Sequence, residues 1–128
     1  MAVLGVGIDL VEVSDAVRLL DRWGDRLLKR ILTDQERGYL DRLALPAKHL
    51  AVRIAAKEAV YKALQSVPGA REVGWREIEV ERSESGRPSI RLYGSAARAA
   101  EAGGVVRISL SLTHTEHTSA AVAIAEGK

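Results

Sequence analysis

The first apolar stretch, residues 3–13 (VLGVGIDLVEV), is short, rich in β-branched side chains and punctuated by Gly5 and Gly7. That pattern predicts a buried strand whose glycines let another backbone come close. After it, Ala16, Leu19, Leu20, Trp23 and Leu27 recur at helical spacing, with Ser14 placed as a cap and Asp15 in the first turn. Gly24 leaves open whether this is one helix or two short ones. Thr33-Asp-Gln-Glu36 has the capping-box spacing and opens a further helix, which Pro46 is expected to end. Residues 47–66 carry the longest helical pattern, stopped by Pro68-Gly69. The second half changes period. Residues 75–82 and 89–93 read as strands around a turn at 83–88, residues 95–102 as an alanine-rich helix ended by Gly103-Gly104, and residues 105–113 and 119–125 as a last strand pair. The expected order is β-α-α-α-β-β-α-β-β: one α+β domain over residues 1–128, with a mixed or antiparallel sheet wrapped by helices.

Composition narrows this further. No phenylalanine and few other aromatics mean a core of Val, Leu, Ile and Ala, with elements packed closely on small side chains. A formal charge of only +2 argues against a dedicated nucleic-acid binder. The absence of cysteine excludes disulfides, thiolate metal sites and a cysteine nucleophile. No basic segment precedes Asp9, and no apolar run approaches the ~18 residues that span a bilayer. The expectation is therefore no signal peptide, no membrane contact and a cytoplasmic location.

Several side chains are candidates for chemistry. Asp9 lies inside an apolar run, where a carboxylate is costly unless it is paired or holds a metal. In the helix over residues 53–65, turning about 100° per residue, Ala55, Ala56, Ala59 and Ala63 share one arc. Arg53, Lys57, Glu58, Tyr61 and Lys62 share the opposite, solvated arc. Glu58 and Lys62 stand one turn apart, which is an ordinary surface pair when taken alone. Joined to Asp9, Glu58 supplies the one or two carboxylates that Mg²⁺ takes, the remaining ligands being waters and phosphate oxygens. Arg18, Arg22, Arg26 and Lys29 form a basic stripe interleaved with Asp15, Asp21 and Asp25, which suits either a solvated face or docking of an acidic protein. His114 taken alone is a structural hydrogen-bonder, and His49 and His117 read as surface residues.

Five collinear blocks change the weight of these residues. Gly5-Val-Gly-Ile-Asp9-Leu-Val-Glu12, Arg30-Ile-Leu-Thr33…Glu36 and Arg53-Ile-Ala-Ala-Lys57-Glu58-Ala…Lys62-Ala-Leu are followed by Trp75…Ile78-Glu-Val with Gly86-Arg-Pro88, and by Ser109-Leu-Ser-Leu-Thr113-His114-Thr. In order and spacing they resemble the bacterial holo-(acyl-carrier-protein) synthases, short single-domain 4′-phosphopantetheinyl transferases. The resemblance implies an Mg²⁺-dependent enzyme that moves 4′-phosphopantetheine from coenzyme A to a serine of an acidic apo acyl carrier protein and releases 3′,5′-ADP. It implies Asp9 and Glu58 as metal ligands, and Glu58, Lys62 and His114 as candidate catalytic groups. Arg53, Lys57, Lys62, Thr113 and His114 would contact coenzyme A, Arg18, Arg22 and Arg26 would dock the carrier, and the chain would form a homotrimer with sites between subunits. The alternatives are an inactive module binding an acidic protein, and a phosphatase using the same carboxylates. Three departures accompany the match. Gln65-Ser-Val-Pro-Gly69 replaces the family's glycine-rich G-T-G turn, Ser14-Asp15 stands where an arginine is usual, and Ile54 replaces a phenylalanine.

Overall fold

In the computed structural model, a Cβ added at Gly7 would stand 1.8 Å from the carbonyl oxygen of Ala59, and one at Gly5 would stand 1.9 Å from that of Ala63. Both glycines lie on strand β1 (Ala2–Glu12), and both carbonyls belong to helix α4 (Pro46–Ala63). The helix therefore rests directly on the strand, at a separation that no side chain but hydrogen permits. The structure describes residues 1–128, the side chain of Arg71 excepted.

Around this contact, β1 pairs antiparallel with β5 (Thr118–Gly127), and β5 pairs antiparallel with β4 (Arg107–His114), giving the order β1-β5-β4. A second two-stranded sheet joins β2 (Ile78–Arg82) to β3 (Pro88–Leu92), so all pairing is antiparallel and the sheet foreseen as one is hydrogen-bonded as two. The inward row of β5 is Ser119, Ala121, Ala123 and Ala125, all buried, and α4 presents Ala55, Ala56, Ala59 and Ala63 to the same core. Small residues on both surfaces bring helix and sheet together, as the missing phenylalanines foretold. A smaller cluster packs α1 (Val13–Trp23), α2 (Asp25–Ile31) and α3 (Asp34–Leu40) against the first half of α4 through Ala16, Ile31, Leu32, Leu40, Leu50 and Ala51.

The element order agrees with the expected one, with Gly24 (φ +49°) separating α1 from α2. Two boundaries move. Pro46 starts α4 instead of ending α3, because proline's missing N–H costs nothing in a first turn. Trp75–Glu77 is a 3₁₀ turn ahead of β2 rather than part of it. That turn is tied down by Glu77, whose carboxylate accepts from the Gly74 N–H at 2.8 Å and the Ser95 hydroxyl at 2.7 Å, at the start of α5 (Gly94–Ala102). The capping box at Thr33 and Glu36 forms as its spacing predicts. Among the described residues no helix is long and apolar enough to cross a membrane.

Candidate active site

Helix α4 carries two groups of chemistry-bearing residues. The first lies in its C-terminal half, against β1. Lys62 Nζ donates to the Ile8 carbonyl at 3.0 Å and to Asp9 Oδ1 at 3.3 Å. The Asp9 side chain is 19 % exposed and that of Lys62 49 %, so the pair faces an open rim rather than the core. Glu58 stands one turn before Lys62. Burial pushes its carboxyl above the usual glutamate range, the Asp9 carboxylate pushes it the same way, and Lys62 pulls it back. Two neighbouring carboxylates against a single lysine form a place where a further cation lowers the energy. Among the described residues no three His, Cys, Asp or Glu side chains converge as a metal site. Asp9 and Glu58 nevertheless fit Mg²⁺, which takes only one or two protein carboxylates and fills its octahedron with water and substrate phosphate oxygens.

The second group surrounds a cavity of about 740 Å³ beside the N-terminal half of α4. Lys48, His49 and Arg53 line it from the helix, Arg82 and Arg87 from the β2–β3 hairpin, and His114 from the end of β4; none of its described lining residues is a carboxylate. Burial lowers the proton affinity of His49, and the positive charges of Arg53, Arg82 and Lys48 lower it further. The Arg53 guanidinium lies over the Tyr39 ring at 4.8 Å, and Tyr39 meets the His49 ring edge-on at 5.9 Å. Such a carboxylate-free, multiply cationic pocket takes a polyanion.

The residues expected from sequence thus divide. Asp9, Glu58 and Lys62 come together, Arg53 and His114 come together elsewhere, and none of the first three lines the cavity that holds the second two. Thr113 is exposed and, as the strand neighbour of His114, points to the opposite face of β4. Arg18, Arg22 and Arg26 are exposed as expected: Arg18 pairs with Asp15, while Arg22 and Arg26 flank the Trp23 ring at 5.1 and 6.0 Å across the α1–α2 break. His117 is on the surface.

Three expectations are corrected. Lys57, foreseen on a solvated arc contacting nucleotide phosphates, is fully buried. Its ammonium donates to Glu36 Oε1 at 2.7 Å, the Trp75 carbonyl at 2.9 Å and the Ile78 carbonyl at 2.5 Å, so all three protons are taken within the fold. Arg53, foreseen on the same solvated arc, is likewise buried, while His49, read as a surface residue, is half-buried and lines the cavity. Its place one turn before Arg53 was the available signal, since both then share a face of α4. Lys48, Arg82 and Arg87 had no assigned role either. Only Gly86-Arg-Pro88 had pointed to the hairpin, and nothing local links it to α4.

Residues 5–125 match the model of the 4′-phosphopantetheinyl transferase superfamily. The chain is 44 % identical over 114 residues to a holo-[acyl-carrier-protein] synthase of Solibacter usitatus, covering 88 % of this chain and 90 % of that one. The crystal structure of the holo-[acyl-carrier-protein] synthase of Neisseria meningitidis superposes with a TM-score of 0.85 at 30 % identity, covering 98 % of this chain and 99 % of that one. A Chronobacterium ammoniagenes ACPS–CoA complex matches with a TM-score of 0.81, again at 30 % identity, covering 97 % of each chain.

Proposed function

Because the chain belongs to the 4′-phosphopantetheinyl transferase superfamily, we propose that residues 1–128 act as one domain that transfers 4′-phosphopantetheine from coenzyme A to a serine hydroxyl of an apo acyl carrier protein, leaving 3′,5′-ADP. The observation that carries this is the division of α4 between a carboxylate–lysine cluster and a carboxylate-free cationic cavity. Coenzyme A has two phosphate centres, a reacting diphosphate and a 3′-monoester on the ribose. The diphosphate suits the first group and the nucleotide end the second.

In the transfer, the carrier serine oxygen forms a bond to the phosphorus that bears pantetheine. The bond from that phosphorus to the bridging oxygen breaks, and the nucleotide departs with that oxygen on its 5′-phosphate. Asp9 and Glu58 would hold Mg²⁺, which when bound neutralises charge on the diphosphate oxygens. Lys62, held toward Asp9, presents its ammonium to the same oxygens. The serine proton would pass to Glu58 through an intervening water, with Lys62 and His114 as the other candidate acceptors. Arg18, Arg22 and Arg26 lie exposed on α1 and α2, where they would steer an acidic carrier to the site. The lack of cysteine suits a reducing cytoplasm.

The outer face of the β1-β5-β4 sheet supports assembly. Val6, Ile8 and Leu10 are 59 %, 61 % and 68 % exposed and form an apolar row along β1. An exposed apolar row of this kind marks an interaction surface, and the proposed occupant is a further copy of this chain. A trimer closed over this face is the assembly the family resemblance implies, with sites shared between subunits. Ile8→Glu is then expected to give monomers by light scattering and to lose most transfer activity. An unchanged assembly with full activity would refute the interface.

The deciding measurement is the intact mass of an apo acyl carrier protein incubated with this protein, coenzyme A and Mg²⁺. A gain of about 340 Da, the phosphopantetheine increment of the transfer described, is expected. Release of free phosphopantetheine without modified carrier would identify a hydrolase instead, and no reaction with several carriers would overturn the transferase reading.

A further inference from the structure

Among the described residues, two buried side-chain polar atoms have no hydrogen-bond partner: Arg53 Nε and Ser119 Oγ. Both residues line the 740 Å³ cavity. Ser119 is 1 % exposed and is the only hydroxyl in an inward row of β5 that otherwise holds Ala121, Ala123 and Ala125. The register sets it directly opposite His114 on β4 and Val11 on β1. Cross-strand partners project from the same face of a sheet, so the Ser119 hydroxyl and the His114 ring stand side by side toward the cavity. The row is built for alanine. A hydroxyl placed there without a partner is a cost the fold does not recover by itself.

We propose that Ser119 is a ligand-binding residue that sets nucleotide specificity, its hydroxyl donating to the 3′-phosphate of coenzyme A beside the Arg53 guanidinium. This rests on the reading of the cavity as the nucleotide end of the site. The choice of group follows from the chemistry of the walls. Lys48, His49, Arg53, Arg82 and His114 are joined there by no carboxylate, and with the diphosphate assigned to Asp9, Glu58 and Lys62, the ribose monoester is the anion that remains. Phosphate oxygens only accept, and both orphan atoms can donate. A serine hydroxyl is re-aimed by χ1 alone, which moves between staggered wells, so Ser119 needs no backbone change to turn toward a bound anion.

The test compares the wild-type protein with Ser119→Ala by titration calorimetry, using adenosine 3′,5′-bisphosphate and adenosine 5′-monophosphate as probes. The variant is expected to bind the bisphosphate about 10-fold more weakly, the scale of one hydrogen bond to a charged group. Its affinity for the monophosphate should be unchanged, and its thermal midpoint equal to or above that of the wild type, since an unpaired hydroxyl has been removed from an alanine row. Equal affinity of both proteins for the bisphosphate, an equal loss for both nucleotides, or a midpoint lowered by several degrees would each overturn the assignment. If the wild type binds neither nucleotide, the nucleotide reading of the cavity itself falls and takes the assignment with it. Failure of the serine assignment alone leaves wild-type binding of the bisphosphate intact.

Discussion

Glu58→Gln is expected to lower phosphopantetheine transfer about 10³-fold, on the scale of losing one group preorganised against charge in a transition state, while the protein stays folded. The size follows from the position. Glu58 and Asp9 are the two carboxylates of the cluster, and with Lys62 engaged by Asp9, an amide at residue 58 removes the carboxylate charge that no lysine offsets. Stability should move the other way. Folding raises the Glu58 carboxyl pKa, first by burial and then by Asp9. A carboxyl raised in this manner has its stabilising contribution below the unfolded pKa and loses it as pH rises through the folded value. At neutral pH the ionised group is therefore a burden, and a neutral amide of the same shape relieves it. The thermal midpoint of Glu58→Gln without added metal should equal or slightly exceed that of the wild type. The stabilisation that Mg²⁺ and coenzyme A together give the wild type should shrink in the variant. A near-normal transfer rate with Mg²⁺ would rule out the ligand role, and a collapse of the midpoint would show that the loss of activity came from unfolding.

How much of this was legible beforehand depends on the range over which each residue acts. Gly5 and Gly7 could be read from their place in an apolar run, because the close approach they permit is encoded where they stand. The Thr33–Glu36 box could be read for the same reason: its partners lie three residues apart. Lys57 could not. A helical wheel gives the angle of a side chain but not the depth of what covers it, and here the β2 strand and the turn before it cover that angle. Glu36 was found as a cap, yet a carboxylate has two oxygens, and nothing in the spacing told where the second would go. It goes to the Val80 N–H, forty-four residues on. The cavity escaped for the same reason. Its cations come from α4, the β2–β3 hairpin and β4, and only His49 and Arg53 are close enough in sequence to be paired by periodicity. Proline at 46 misled because a first-turn proline and a terminating proline look alike until the flanking helices are placed.

Glu36 is expected to be the most costly single side chain to remove. Its side chain is 1 % exposed and Lys57 beside it 0 %. One oxygen accepts from Lys57 Nζ at 2.7 Å and from the Thr33 N–H at 3.0 Å, and the other accepts from the Val80 N–H at 3.0 Å with Arg53 Nε 3.8 Å away. The carboxylate thus ties α3, α4 and β2 through groups that have no access to water. Burial holds the Lys57 ammonium below the usual lysine range although Glu36 pulls it upward, so charge at this position is a cost that Glu36 offsets only in part. Glu36→Ala leaves that charge uncompensated and two backbone N–H groups unpaired, a loss of about 3–5 kcal/mol. For a domain whose whole stability is about 5–15 kcal/mol, this should lower the thermal midpoint by more than about 10 °C. The double variant Glu36→Gln/Lys57→Met distinguishes charge from packing. If the uncompensated ammonium is the main cost, the pair of neutral replacements should recover much of the loss seen in Glu36→Ala. A midpoint for Glu36→Ala within about 2 °C of the wild type, well inside the shift expected from one lost kcal/mol, would mean that the carboxylate does not hold α4 in place. The same measurement bears on the site. Arg53 and Lys57 sit one turn apart on α4, and a helix released from Glu36 would carry Arg53, Glu58 and Lys62 out of register with β1 and the cavity together. Activity of Glu36→Ala assayed well below its midpoint should accordingly fall along with its stability.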